Sequence, residues 1–155
     1  ATGRLSIASE HLASGLLRSM LGSALQPNAL SLMGPRIVFA TPSGEPHELG
    51  LQMAALSAMG AGAATVYLGA QLPIDELLRA VERTRASALA LSLVTVEVDA
   101  SAKTVGALRE GLASEIQLWI GGDAASQLPP IEGVECIQSL EAFEARVVRL
   151  GFEKN

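Results

Sequence analysis

The chain has 155 residues, nearly half of them apolar, with only three Phe, one Tyr and one Trp. That composition suits one α/β domain filled with aliphatic side chains, with or without a short appendage, and excludes a disordered chain. Eleven Lys and Arg lie scattered among sixteen Asp and Glu, for a formal charge of −5. Gripping phosphates takes clustered basic residues, so this chain is not expected to hold nucleic acid by itself.

Residues 7–25 read as an amphipathic helix, with Ile7, Leu12, Leu16, Leu17, Met20, Leu21 and Leu25 at helical spacing. His11 shares the opposite face with Gly15, Arg18 and Gly22, where two glycines permit close approach of a partner surface. Gln26-Pro27-Asn28 ends or kinks this helix, a short apolar stretch (29–33) follows, and Gly34-Pro35 marks a boundary. Residues 1–33 are therefore expected as a helical segment and 34–155 as the core domain.

From there the pattern is regular. Strands are expected at 36–41, 64–68, 88–94, 117–120 and 134–139, with helices at 46–60, 73–87, 101–114 and 140–150. The run 88–94 is continuously apolar, as in a strand buried on both faces. Strands alternating with helices at this spacing predict right-handed crossovers and a flavodoxin-like, doubly wound, five-stranded parallel sheet. Cys136 sits in a short apolar run and is expected as a buried small hydrophobe rather than a reactive thiol. A lone cysteine allows no internal disulfide. With no signal peptide and no apolar run long enough to span a bilayer, a cytoplasmic chain away from membranes is expected. Ala1 rather than Met opens it, as in a processed protein or a piece of a longer one.

Ligands of such sheets bind beyond the carboxyl ends of the strands. Three segments fall there: Glu45-Pro46-His47-Glu48-Leu49-Gly50, Ser92-Leu93-Val94-Thr95 and Gly121-Gly122. A neutral imidazole at His47 can offer a nitrogen to a metal while Glu45 accepts its other ring N–H. Gly50 and the Gly121-Gly122 pair would leave room for something flat and deep. Taken singly, each feature has an ordinary reading: a helix-capping or surface histidine, a turn, a serine bonded to its own backbone.

Their spacing links them. Forty-one residues (51–91) separate Gly50 from Ser92, and 26 residues (95–120) separate Val94 from Gly121. The pattern resembles a cobalamin-binding family whose signature is Asp-x-His-x-x-Gly, Ser-x-Leu and Gly-Gly at such spacings. The resemblance covers about residues 35–150. It implies that His47 replaces the cofactor's dimethylbenzimidazole as cobalt ligand. The displaced nucleotide tail would then lie near Ser92, Val94 and Thr95, with Gly121 and Gly122 giving it room. Glu45 stands where the signature has Asp, and Val94 where it has Leu.

The Glu-x-His version resembles the cobalamin domains of MerR-type light-responsive transcription regulators, the CarH/LitR group. There a helical bundle, of which residues 1–33 would be a remnant, covers the upper face of the corrin through a Trp, nine residues and Glu-His. Glu10-His11 matches the Glu-His end, and the Trp position would precede Ala1. The residue after that Trp can ligate cobalt in the group; Ala1 has no donor atom, so a second protein ligand is not expected.

The resemblance thus implies a sensory domain that binds cobalamin, adenosylcobalamin in the first place and otherwise methyl- or hydroxocobalamin, and that is not itself an enzyme. A homo-oligomer is expected, with DNA contacted only through a domain outside this chain. The alternative is the corrinoid carrier module of a methyltransferase, which the same lower-ligand site would serve. A third reading is a domain of this fold that has lost cobalamin, or that binds haem or another tetrapyrrole in its place.

Overall fold

The computed structural model describes residues 6–25, 34–95 and 97–153. The stretch read as Gln26-Pro27-Asn28 and the apolar run 29–33 lie outside them. Five strands form one sheet: β1 (Arg36–Pro42), β2 (Ala64–Leu72), β3 (Ala88–Ser92), β4 (Gln117–Gly121) and β5 (Val134–Cys136). Every pairing is parallel and the order is β2-β1-β3-β4-β5. The helices are α1 (Ile7–Ala24), α2 (Leu49–Gly60), α3 (Ile74–Thr84), α4 (Val98–Gly111) and α5 (Leu140–Glu153).

Alternation along the central strands splits the core in two. Val38, Ala40, Leu89 and Leu91 face one layer, with Leu77 and Val81 of α3 and Val105 and Leu108 of α4. Ile37, Phe39, Ala88 and Ala90 face the other, with Leu51 and Ala55 of α2 and Phe143, Val147 and Leu150 of α5. Period-two side-chain placement on strands buried on both sides is what a doubly wound sheet demands. After β2 the chain returns past β1 to build β3, so strand order reverses between β1 and β3. That switch point opens a crevice at their carboxyl ends.

Element ends differ from the sequence reading for local reasons. The third helix stops at Thr84 rather than Ser87, because Arg85 takes a left-handed conformation (φ 52°) that closes it. The fourth is shifted, running Val98–Gly111, and Arg109 donates from Nη2 to the carbonyls of Leu112 (3.0 Å) and Ala113 (2.6 Å) beyond its end. A 3-10 turn at Ala125–Gln127 had no periodic signal to announce it.

One expectation about burial is corrected. Cys136 is exposed, because β5 is a three-residue edge strand with little covering it. Enough protein remains around the thiol for burial to push its pKa up, which lowers its thiolate fraction. On α1, which Ser6 caps by accepting the N–H of Ser9 at 3.1 Å, no residue is buried. Most of its apolar stripe faces away from the domain, with Ile7 74% and Met20 69% exposed, while Leu25 at its end packs against the core. The small-residue side lies against α2: Gln52 Nε2 donates to the Arg18 carbonyl at 3.4 Å, and a Cβ on Gly22 would meet that nitrogen at 3.7 Å.

Candidate functional site

Glu45 and His47 occupy the loop between β1 and α2, at the switch point. The Glu45 side chain is wholly buried. Its Oε2 accepts the backbone N–H groups of Val94 and Thr95, both at 2.7 Å, across the crevice from the end of β3. Its Oε1 accepts the His47 backbone N–H at 3.0 Å and lies 2.7 Å from His47 Nδ1. The Thr95 hydroxyl stands 3.3 Å from that oxygen and 3.3 Å from Nδ1. Beneath the loop, Thr41 Oγ1 donates to the Glu45 carbonyl and accepts the N–H of Gln71 at 2.9 Å, tying the ends of β1 and β2 together.

These contacts decide the charge. Burial pushes the Glu45 carboxyl up, but the N–H groups of Thr95, His47 and Val94 and the imidazole together outweigh it and hold the pKa at about 2. An ionised acceptor beside Nδ1 places the ring proton there, so the network selects the tautomer whose Nε2 carries a free lone pair. The His47 side chain is 55% exposed, and among the described residues nothing engages Nε2. The imidazole is therefore oriented and left open on its outer side. Next to it, Glu48 accepts the Tyr67 hydroxyl at 2.8 Å, anchoring the start of α2 to β2.

The other motif residues meet beside this loop. The β3–β4 register pairs Ser92 with Gly121, which is why the two motifs carry the spacing they do. Gly50, Ser92, Val94, Gly121 and Gly122 line one cleft of about 210 Å³. A Cβ on Gly50 would meet nothing within 4 Å, so its bare Cα leaves open space. Gly122 has a different reason: its φ is +99°, and a Cβ would lie 2.4 Å from the Leu93 carbonyl oxygen. The far wall comes from Ile137–Leu140 and Phe143, together with Met53 of α2, none of which the motifs include. Glu10 and His11 are both exposed on α1, and among the described residues no hydrogen bond joins either to the His47 loop. Larger cavities of about 540 and 580 Å³ open at the amino ends of β1 and β4, away from the edge where parallel sheets place ligands.

The residues present fit a corrinoid on two grounds: an oriented imidazole with an open nitrogen, and an adjoining slot that side chains at Gly50 and Gly121 would narrow. Residues 35–148 match the B12 binding domain family. The chain belongs to that family. This B12 binding domain is 34% identical over 125 residues to the HTH-type transcriptional repressor CarH of Myxococcus xanthus, covering 80% of the chain and 42% of that protein. It is 37% identical over 91 residues to the repressor CarA of the same organism, covering 59% of the chain and 32% of that protein. The chain thus spans less than half the length of the curated relatives it matches.

Its fold is that of a cobalamin-binding protein from Desulfitobacterium hafniense DCB-2, at TM-score 0.57 and 23% identity over 98% of this chain and 72% of that one. The monomethylamine corrinoid protein of Methanosarcina barkeri has the same fold at TM-score 0.67 and 11% identity, over 92% and 68% of the two chains. So does the methanol:cobalamin methyltransferase complex MtaBC of Methanosarcina barkeri, at 0.62 and 18%, over 94% and 58%. Among the described residues, no helix of this B12 binding domain is long and apolar enough to cross a membrane.

Proposed function

We propose that this B12 binding domain is the cobalamin-responsive part of a transcription regulator, that His47 is its cobalt ligand, and that adenosylcobalamin makes it responsive to light. The observation that carries the reading is the imidazole held by a buried, ionised Glu45, with Nε2 open beside the glycine-lined cleft. A single imidazole suits a metal whose equatorial positions are already filled by a macrocycle. Glu45 orients the ring, Thr95 and Val94 hold Glu45, and Ser92, Gly50, Gly121 and Gly122 receive the nucleotide tail. When bound, adenosylcobalamin supplies a cobalt–carbon bond that visible light breaks. Glu10 and His11 would meet the upper face, with α1 contributing to a cap over the corrin. The role is binding rather than catalysis, in a cytoplasmic, self-associating protein whose DNA contacts lie outside this chain.

Support for a regulator over a methyl carrier comes from identity: the repressors match at 34% and 37%, whereas the corrinoid proteins of methyltransferases share the fold at 11% and 18%. The test is an absorption spectrum with adenosylcobalamin, first in the dark and then in light, with molecular mass followed in parallel. The dark complex should show the base-off, histidine-ligated spectrum, and light should change both spectrum and mass. His47→Ala should lose that spectrum and at least about tenfold in affinity. Unchanged spectra and affinity in the variant would refute the ligand assignment. Photochemistry no different from free cofactor, with constant mass, would refute the light response alone.

A further inference from the structure

The cleft beside His47 is apolar on nearly every side. Met53 of α2, Val94 after β3, Ile120 of β4, Ile137 after β5, and Leu140 and Phe143 of α5 line it. Its polar side chains are Ser92, Gln138 and Ser139. The Ser139 hydroxyl already accepts the N–H of Ala142 at 3.1 Å, capping α5, and Gln138 is exposed. Ser92, 7% exposed, is the buried hydroxyl at the end of β3.

We infer that this cleft selects the lower base of the corrinoid, favouring an apolar benzimidazole over a polar purine, with Met53, Ile120, Ile137 and Phe143 as the selecting residues. The inference rests on the reading of the cleft as the tail site. A dimethylbenzimidazole released from cobalt presents two methyl groups and one free ring nitrogen, which one buried hydroxyl can satisfy. An adenine in its place presents an amino group and three ring nitrogens. Most of those would face aliphatic or aromatic carbon, and a buried polar group without a partner is costly. Base displacement works in the opposite direction. Adenine is the weaker cobalt ligand and leaves more easily, so a preference for the benzimidazole originates in the cleft.

The experiment compares dissociation constants by equilibrium dialysis for the hydroxo forms of cobalamin, its adenine-bearing analogue and cobinamide, which has no nucleotide tail. Visible spectra confirm base-off binding of the two tailed corrinoids. Cobalamin should bind at least about tenfold tighter than the adenine analogue, with cobinamide weaker than cobalamin. Met53→Gln adds an amide at the exposed rim of the cleft and should narrow the preference about threefold, while Met53→Leu keeps it. Equal affinity for the two tailed corrinoids, both base-off and both tighter than cobinamide, overturns the selectivity and leaves the cofactor reading standing. Cobinamide binding as tightly as cobalamin also overturns it, because the tail then gains nothing from the cleft. Failure of all three to bind removes the cofactor reading, and the inference with it.

Discussion

The helices at the two ends of the chain, α1 and α5, both carry an apolar stripe at helical spacing, and the fold treats them oppositely. Along α5, Phe143, Val147 and Leu150 are buried, and Phe143 sets its ring edge-on to Phe39 and Trp119 at 6.0 and 5.6 Å. Along α1 most of the stripe is exposed, and the side carrying Arg18 and Gly22 meets the domain. Periodicity states that a helix has two faces. Which face is covered depends on what lies opposite, a fact written elsewhere in the chain.

The largest test of this contrast is a pair of truncations followed by urea unfolding of the cofactor-free protein. Leu150→Ala should cost about 2–5 kcal/mol and Leu16→Ala less than about 0.5 kcal/mol. Similar losses would mean that the α1 stripe is covered in solution.

Charge sharpens the same comparison. The Glu45 carboxyl titrates near 2 in the folded chain against an ordinary 4.5, so it contributes about 3 kcal/mol above pH 4.5. That contribution is lost as pH falls from 4.5 toward 2. Glu45→Gln should remove it at neutral pH and flatten the acid limb of stability against pH, and an unchanged limb would contradict the buried clasp. Glycines give the smallest pair. Gly122→Ala forces a side chain onto a backbone with φ +99° and against the Leu93 carbonyl, for a loss of about 1–3 kcal/mol. Gly15→Ala, in helix α1 with nothing within 4 Å of the new carbon, should gain about 0.5–1 kcal/mol. Unfolding midpoints of the two variants moving the same way would break the contrast.

Much of the fold was legible because its signals are local. Short apolar runs marked all five strands, and their spacing implied parallel crossovers. At the site, Glu45, His47, Ser92, Gly121 and Gly122 declare themselves by residue type and separation, and the structure brings them to one edge. The far wall of the cleft was not legible. Phe143 is buried, Ile137 half-buried and Leu140 exposed, and they reach the cleft only because β5 pairs with β4 and turns α5 back over it. The same edge position exposes Cys136, which its apolar neighbours had suggested was buried. Nor could sequence show that Glu45 is held by the amides of Val94 and Thr95, since backbone N–H groups leave no mark in a residue pattern.

That clasp makes one conservative-looking exchange far from neutral. Glu45 spans from the imidazole on its own loop to two amides on another, and an aspartate is shorter by one carbon–carbon bond, roughly 1.5 Å. With Asp at this position the carboxylate would reach the ring or the amides, unless the loop after β3 also drew closer. The distance between the two loops and the length of one side chain are thus matched parts. Grafting the commoner Asp-x-His segment into this scaffold would call for its partner loop to be transplanted along with it.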